Sequence, residues 1–128
     1  MSPTGLTYDT GALIAAERDD RVMWSMHRAS LLRAVAPTVP AGVLAEAWRG
    51  GPQHRLSRLL KGCKIEELNE SQARDVGALV AQCGLPDTVD VAVAEGALRR
   101  NDAVVTSNRH HIAQVADAVG SQLSILDV

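Results

Sequence analysis

Short apolar runs alternate along this chain with segments of helical period. Leu6-Thr7-Tyr8 reads as a short strand ending at Asp9, and Thr10 can cap a turn of helix that begins at Gly11. From Asp19 to Val35, Val22, Met23, Met26, Ala29 and Leu32 recur at spacings that suit an amphipathic helix. Pro37-Thr38-Val39-Pro40 suits a short extended piece bounded by prolines. Helix is expected from Val43 to Arg49, a break at Gly50-Gly51-Pro52, and helix again from Gln53 to Lys61. Lys64-Ile65-Glu66-Glu67-Leu68 reads as an edge strand. Ser71 or Asn69 caps a helix to Cys83 that Gly84 ends, and Asp87 caps another reaching about Arg100. Asn101-Asp102 then turns into the strand Ala103-Val104-Val105-Thr106, a last helix spans about Arg109 to Val119, and Leu123-Ser124-Ile125-Leu126 closes the sheet. Strands alternating with helices predict an α/β fold of three layers, with a mostly parallel central sheet covered on both faces. No repeat, linker or low-complexity tract interrupts the pattern, so one domain is expected over residues 1–128.

Composition narrows this only slightly. Hydrophobic residues make up 46% of the 128, but aromatics only 2% (Tyr8, Trp24, Trp48), so Ala, Val, Leu and Ile must build the core. A net charge of −2 offers no global attraction to nucleic acid, so any such binding must come from a local basic patch. Cys63 and Cys83 have neither ligand spacing nor a CxxC, which suits a reducing compartment better than a disulfide framework. The first residues lack the charged-then-apolar pattern of a secretion signal, and no apolar run approaches the roughly 20 residues of a membrane span. A cytoplasmic protein is expected.

The informative chemistry lies in four carboxylates. Asp9, Glu46, Asp87 and Asp90 stand at strand ends or helix starts, each in apolar sequence that ought to bury it. Burying a carboxylate is costly, and several together repel one another unless a cation neutralises them. Hard oxygen donors suit Mg²⁺ or Mn²⁺. In open α/β sheets, ligands bind beyond the carboxyl ends of the strands, where Asp9 and Asn108 fall. Asp87-Thr88-Val89-Asp90 also reads as a helix cap with an acid at the third helical position, so a purely structural role competes for Asp87.

The stretches YDTGALIAA, VLAEAWRGG and DTVDVAVAEGALRRNDAVVTSN resemble the PIN domain, and within it the VapC-type toxins of bacterial toxin–antitoxin pairs. The likeness runs through essentially the whole chain, in order. It implies a PIN-like fold and a Mg²⁺- or Mn²⁺-dependent endoribonuclease, with Asp9, Glu46 and Asp90 on the family's metal-site acids and Asp87 on an additional acid. Asp9 and Asp90 would contact the metal directly. Glu46 would act through a water or take the water's proton, and Asp87 would support the site. Thr10, Thr106 and Ser107 are hydroxyls placed to orient these carboxylates. Asn108 stands where many relatives carry an acid; its carbonyl can ligate or orient a water but adds no charge, which leaves one or two metals open. The resemblance also implies a homodimer and a cognate antitoxin, and Met23, Trp24 and Met26 lie close together as a candidate interface.

An acidic site needs help to hold RNA. Residues 47–65 contain Arg49, Arg55, Arg58, Lys61 and Lys64 and no acid, and Arg55, Arg58 and Lys61 share roughly one helix face that could grip phosphates. Trp48 is expected in the core. His110 and His111, adjacent on a helix and so pointing apart, are expected on the surface. A phosphoacceptor receiver would require a Lys ending its last strand, which Leu123-Ser124-Ile125-Leu126-Asp127-Val128 lacks, and Thr10-Gly11-Ala12 is not the GxGxxG of dinucleotide binders. The stronger rival is a non-catalytic RNA-binding or interaction module on the same scaffold, with Asn108 marking a decayed site.

Overall fold

A computed structural model describes residues 2–128, so Met1 of the expected domain lies outside the described residues. Five parallel strands form one sheet: β1 (Gly5–Tyr8), β2 (Thr38–Pro40), β3 (Lys64–Glu66), β4 (Asp102–Thr106) and β5 (Ile125–Asp127). Their spatial order is β3-β2-β1-β4-β5. The chain thus winds outward from β1 in one direction and then crosses to β4 to wind in the other. The strand order reverses between β1 and β4, whose paired residues run from Gly5↔Asp102 to Tyr8↔Val105.

Among the described residues, seven helices cover the sheet: α1 (Thr10–Glu17), α2 (Arg21–Leu32), α3 (Ala41–Ala47), α4 (His54–Leu60), α5 (Glu70–Cys83), α6 (Thr88–Arg100) and α7 (Arg109–Ala118). Side chains alternate across a strand, and β1 shows the consequence. Tyr8 reaches His27 of α2 on one face, while Thr7 reaches Arg100 of α6 on the other. Leu6, Tyr8, Leu13, Met23, Val39, Leu56, Leu59 and Ile112 belong to the main core, and Val76, Val91, Ala94 and Val115 join α5, α6 and α7 in a second cluster.

Several boundaries differ from the pattern-based expectation, each for a local reason. Asp9, not Thr10, caps α1: its carboxylate accepts from the Thr10 amide, so the helix starts one residue early. The long helix expected from Asp19 begins only at Arg21, because Asp19 takes a left-handed φ of 62° and Asp20 supplies the cap to Met23 N. Asn69 rather than Ser71 caps α5. The Pro37–Pro40 segment contributes an interior strand, which its terminal proline tolerates. The Met23-Trp24-Met26 cluster is not an exposed surface. Met23 is fully buried, and the Trp24 indole N–H donates to Ala16 O while its ring meets His27 edge-on. The large apolar residues that α2 leaves exposed are Val22, Leu31 and Leu32.

Beneath α2 lies a buried polar pair. The Tyr8 hydroxyl pairs with His27 Nδ1 at 2.9 Å, and burial lowers the pKa of the imidazole and raises that of the phenol. Both cysteines are free, and burial pushes the Cys63 thiol up to about 12, leaving it a packed, unreactive group. Among the described residues, no single helix is long and apolar enough to cross a membrane.

On the face of the sheet where Thr7 meets α6, a charged network locks five elements together. Arg100 reaches Glu66 of β3, Asp102 of β4 and Thr7 of β1. Arg99 bridges Glu66 and Glu95, and Gln72 of α5 donates to both of those carboxylates. Burial alone would raise the Glu66 carboxyl, but the two guanidiniums outweigh it and hold it below its ordinary value. Gly96 makes room for this. A Cβ there would stand 2.9 Å from the Arg100 guanidinium.

Candidate metal centre

The carboxyl ends of β1 and β4 lie side by side at the reversal point, which sets Asp9 next to Thr106. Asp9 is 4% exposed, and both its oxygens are held: Oδ1 accepts from Thr10 N at 2.7 Å and Oδ2 from the Thr106 hydroxyl at 2.7 Å. Thr106 Oγ1 in turn accepts from Asn108 N at 2.9 Å, so one hydroxyl ties the first acid to the start of α7. Gly11 permits this approach. A side chain there would collide with Ser107, so only glycine lets α1 sit tight against the loop after β4. Ser107 is exposed and fills that contact rather than touching a carboxylate.

Asp90 is the second buried acid, in the first turn of α6. Burial raises its pKa. The His111 hydrogen bond pulls it down, the negative charges of Asp9 and Asp87 push it up again, and the net direction is upward. Asp9 and Asp87 therefore lie near enough for their charges to act on Asp90. Asp87 is exposed and serves as a helix cap, its Oδ1 accepting from Val89 N and Asp90 N. Glu46 is also exposed, near the end of α3, and its Oε1 accepts from the Thr10 hydroxyl at 2.6 Å. The expectation that all four acids are buried thus holds for Asp9 and Asp90 and fails for Glu46 and Asp87. Both exceptions lie on helix surfaces whose neighbouring apolar residues turn inward.

His111 is the residue the sequence pattern underrated. It sits in the first turn of α7 with Nδ1 2.7 Å from Asp90 Oδ2 and 2.8 Å from the Asn108 amide. The one available signal was spacing: His111 lies three residues beyond Asn108, so the two share a helix face. His110 stays exposed, as expected. Trp48, expected in the core, is 41% exposed at the end of α3, because the helix stops there and the chain turns away.

The basic residues are spread out. Arg49, three residues after Glu46, bonds to Ala45 O and Trp48 O. Arg55 pairs with Asp19 at 3.8 Å, beyond the far end of α1 from Asp9. Arg58 lies over the Trp24 ring, 4.8 Å from its centroid. Lys61 is exposed just past α4.

The donor set fits a divalent cation. Among the described residues, Asp9, Glu46, Asp87 and Asp90 form no ion pair with Lys or Arg, although two of them are buried and they repel one another. The N-termini of α1, α6 and α7 all open toward this spot, which favours negative charge but does not cancel it. Three or more Asp, Glu, His or Cys side chains are nowhere gathered into a ready ion cage among the described residues. Replacing Asp90 by Asn removes the mutual repulsion. In chelator the variant should melt a few degrees above the parent at pH 7. Because the Asp90 pKa is raised in the fold, its destabilising charge is present above that value and fades as pH falls toward the unfolded value of about 3.9. The two melting curves should therefore converge by about pH 4; a gap that widens on acidification would contradict the repulsion.

No protein-family model matches this chain, and no curated protein matches it. Among solved structures, the fold is similar to the crystal structure of VapBC2 from Rickettsia felis bound to a DNA fragment from their promoter. The TM-score is 0.71 at 17% identity, over 96% of this chain and 98% of that one. At that identity, the shared property is the PIN-like α/β fold with its five-stranded parallel sheet.

Proposed function

We propose that this protein is a metal-dependent endoribonuclease that acts as the toxin of a toxin–antitoxin pair. The observation that carries the reading is the buried, uncompensated pair Asp9 and Asp90 at the reversal point of a parallel sheet. The VapC-like motifs and the fold shared with a VapBC2 structure support it.

Asp9 and Asp90, with Glu46, would hold Mg²⁺ or Mn²⁺, which when bound polarises a phosphoryl oxygen and acidifies water. The chain's own groups do the rest. Thr10 and Thr106 fix the orientation of Glu46 and Asp9 before any ion arrives, so little ordering cost falls on binding. Glu46, exposed and held by one oxygen, keeps the other free to take a proton from an attacking water. Asp87 keeps one oxygen beyond its capping role. Arg49, Arg55, Arg58 and Lys61 are the cations proposed to hold phosphates, Arg49 being nearest Glu46 in the chain. A cognate antitoxin and a second copy of the chain are the proposed partners. The apolar residues exposed on α2, Val22, Leu31 and Leu32, are the surface offered to them. A cytoplasmic setting is proposed with this function.

A non-hydrolytic RNA-binding module is the second reading, favoured by the neutral Asn108 after Thr106. A cleavage assay on total cellular RNA separates the two. Discrete fragments should appear with Mg²⁺ or Mn²⁺ and vanish in chelator. Intact RNA at millimolar concentrations of both ions would sink the enzyme, and cleavage undiminished by chelator would sink the metal.

A further inference from the structure

Ion pairs divide unevenly between the two halves of this chain. Among the described residues, every arginine from Arg74 onward is paired: Arg74 with Glu70, Arg99 and Arg100 with Glu66, and Arg109 with Asp127. Nine Lys and Arg precede residue 65, and of these only Arg55 is paired, with Asp19 at 3.8 Å. The net charge of −2 therefore conceals a surface of uncompensated positive charge on the first half of the chain.

The fold sets five of those cations on two neighbouring helices. Arg58 of α4 lies over the Trp24 ring of α2, 4.8 Å from its centroid. Further along, a Cβ at Gly62 would stand 3.1 Å from Leu31 and 3.2 Å from His27, so α2 runs beside α4 and the turn after it. Arg21 and Arg28 stand three residues before Trp24 and four after it, on the same side of α2. Arg55, Arg58 and Lys61 recur every three residues on the outer side of α4, whose Leu56 and Leu59 are buried. All five cations are exposed. A protein partner would want an apolar centre, but here Arg58 already covers the indole. Val22, two positions before Trp24, falls on the other flank of α2, and Leu31 and Leu32 lie at its end. Rows of unpaired cations without an apolar centre suit a chain of phosphates.

We propose that the paired faces of α2 and α4 form a second RNA-binding surface, which grips the phosphate backbone at a distance from the acids. The inference rests on the RNA-directed reading of the acid site, but binding at this face needs no cleavage to be seen. Helix α1 separates the two places: Asp9 caps its start, and Asp19, the partner of Arg55, follows its end. Eight helical residues span about 12 Å. A strand stacked at about 3.4 Å per nucleotide crosses that distance in about four nucleotides. The substrate class is therefore RNA long enough to reach both places. Phosphate contacts carry no base information, so this face supplies affinity and a preference for length and leaves sequence choice to other contacts.

The test measures binding of a labelled single-stranded RNA of about 30 nucleotides to the full chain in chelator, across a range of salt. Arg21→Gln combined with Arg28→Gln removes two exposed cations and strands no carboxylate. This double variant should bind about 10-fold more weakly, and its slope of log affinity against log salt should be shallower by about 1.4, two contacts of about 0.7 each. The matching pair of Arg→Lys substitutions keeps the charge and should stay within about 2-fold of the parent, which separates lost charge from lost fold. Arg74→Gln, which removes a paired arginine from α5, should also stay within about 2-fold. Parent-like affinity and slope in the double Gln variant overturn the inference. So does an equal loss in Arg74→Gln and in Arg28→Gln alone, since net charge would then suffice. Polyglutamate that displaces the RNA as well as unlabelled RNA of equal charge assigns the face to an acidic protein and overturns it too. RNA held through this face but left uncut at millimolar Mg²⁺ and Mn²⁺ supports the inference and sinks the enzyme.

Discussion

Asp9→Asn is expected to reduce metal-dependent RNA cleavage by on the order of 10³-fold, a loss of about 4 kcal/mol in barrier lowering. The substitution is close to isosteric. Asn can still accept from Thr10 N through its one carbonyl oxygen while its NH₂ donates to the Thr106 hydroxyl oxygen, so the cap of α1 and a link to β4 survive. What disappears is the negative charge and with it a strong ligand, since a neutral amide binds a hard cation far less tightly than a carboxylate. Melting in chelator should stay level or rise, because one of two buried, mutually repelling acids is gone. The informative comparison is cleavage of one RNA at saturating Mn²⁺ by parent and variant, with both melting curves recorded. Equal cleavage would remove Asp9 from the site.

The second large effect is on stability. Arg100→Ala should cost roughly 3 kcal/mol, the scale for breaking a buried ion network by removing one partner. It takes the guanidinium from the little-exposed Asp102, which keeps the Thr7 hydroxyl, removes one of the two guanidiniums on Glu66, and strips Thr7 of a donor. For a chain of this size that corresponds to a fall in Tm of about 10 °C or more. Gly96 supplies the control. Alone, Gly96→Ala should destabilise, because the new methyl pushes the guanidinium off its partners. In the Arg100→Ala background the same change should stabilise by up to about 1 kcal/mol, the ordinary preference of a helix for Ala over Gly. A sign reversal in this double-mutant cycle is the expected result. An unchanged sign would mean that the glycine serves something other than the arginine.

Most of the layout was legible in the sequence because strand and helix periods are local. Gly50, Gly51, Gly84 and Gly120 also mark breaks that the chain does take, each with a left-handed φ. Asp9 and Asp90 could be found because their apolar surroundings leave an acid little reason to be there. What failed depends on partners distant in sequence. Glu66, Asp102 and Thr7 meet Arg100 only because β3, β1 and β4 take a particular order and register, which no window of sequence contains. His111 seemed one of two unremarkable surface residues until α7 was seen to pack beside α6. Trp24 and Met23 seemed an exposed pair because a helical repeat shows which residues share a face, not how much of that face a neighbour covers. The choice between Asp9 and Thr10 as helix cap turns on a single hydrogen bond, and both residue types are good caps.

Both outer strands of the sheet, β3 and β5, are only three residues long, and Lys64, Glu66 and Asp127 sit on them. An open row of backbone donors and acceptors is a template for runaway stacking, yet a row this short, carrying charge, recruits poorly. Chains crowded together during rapid synthesis should therefore meet through their helical surfaces, forming discrete particles rather than fibres. A concentrated preparation should stay clear, without the dye-binding signature of cross-β aggregates, at strengths where an uncharged long-edged sheet of equal size would cloud.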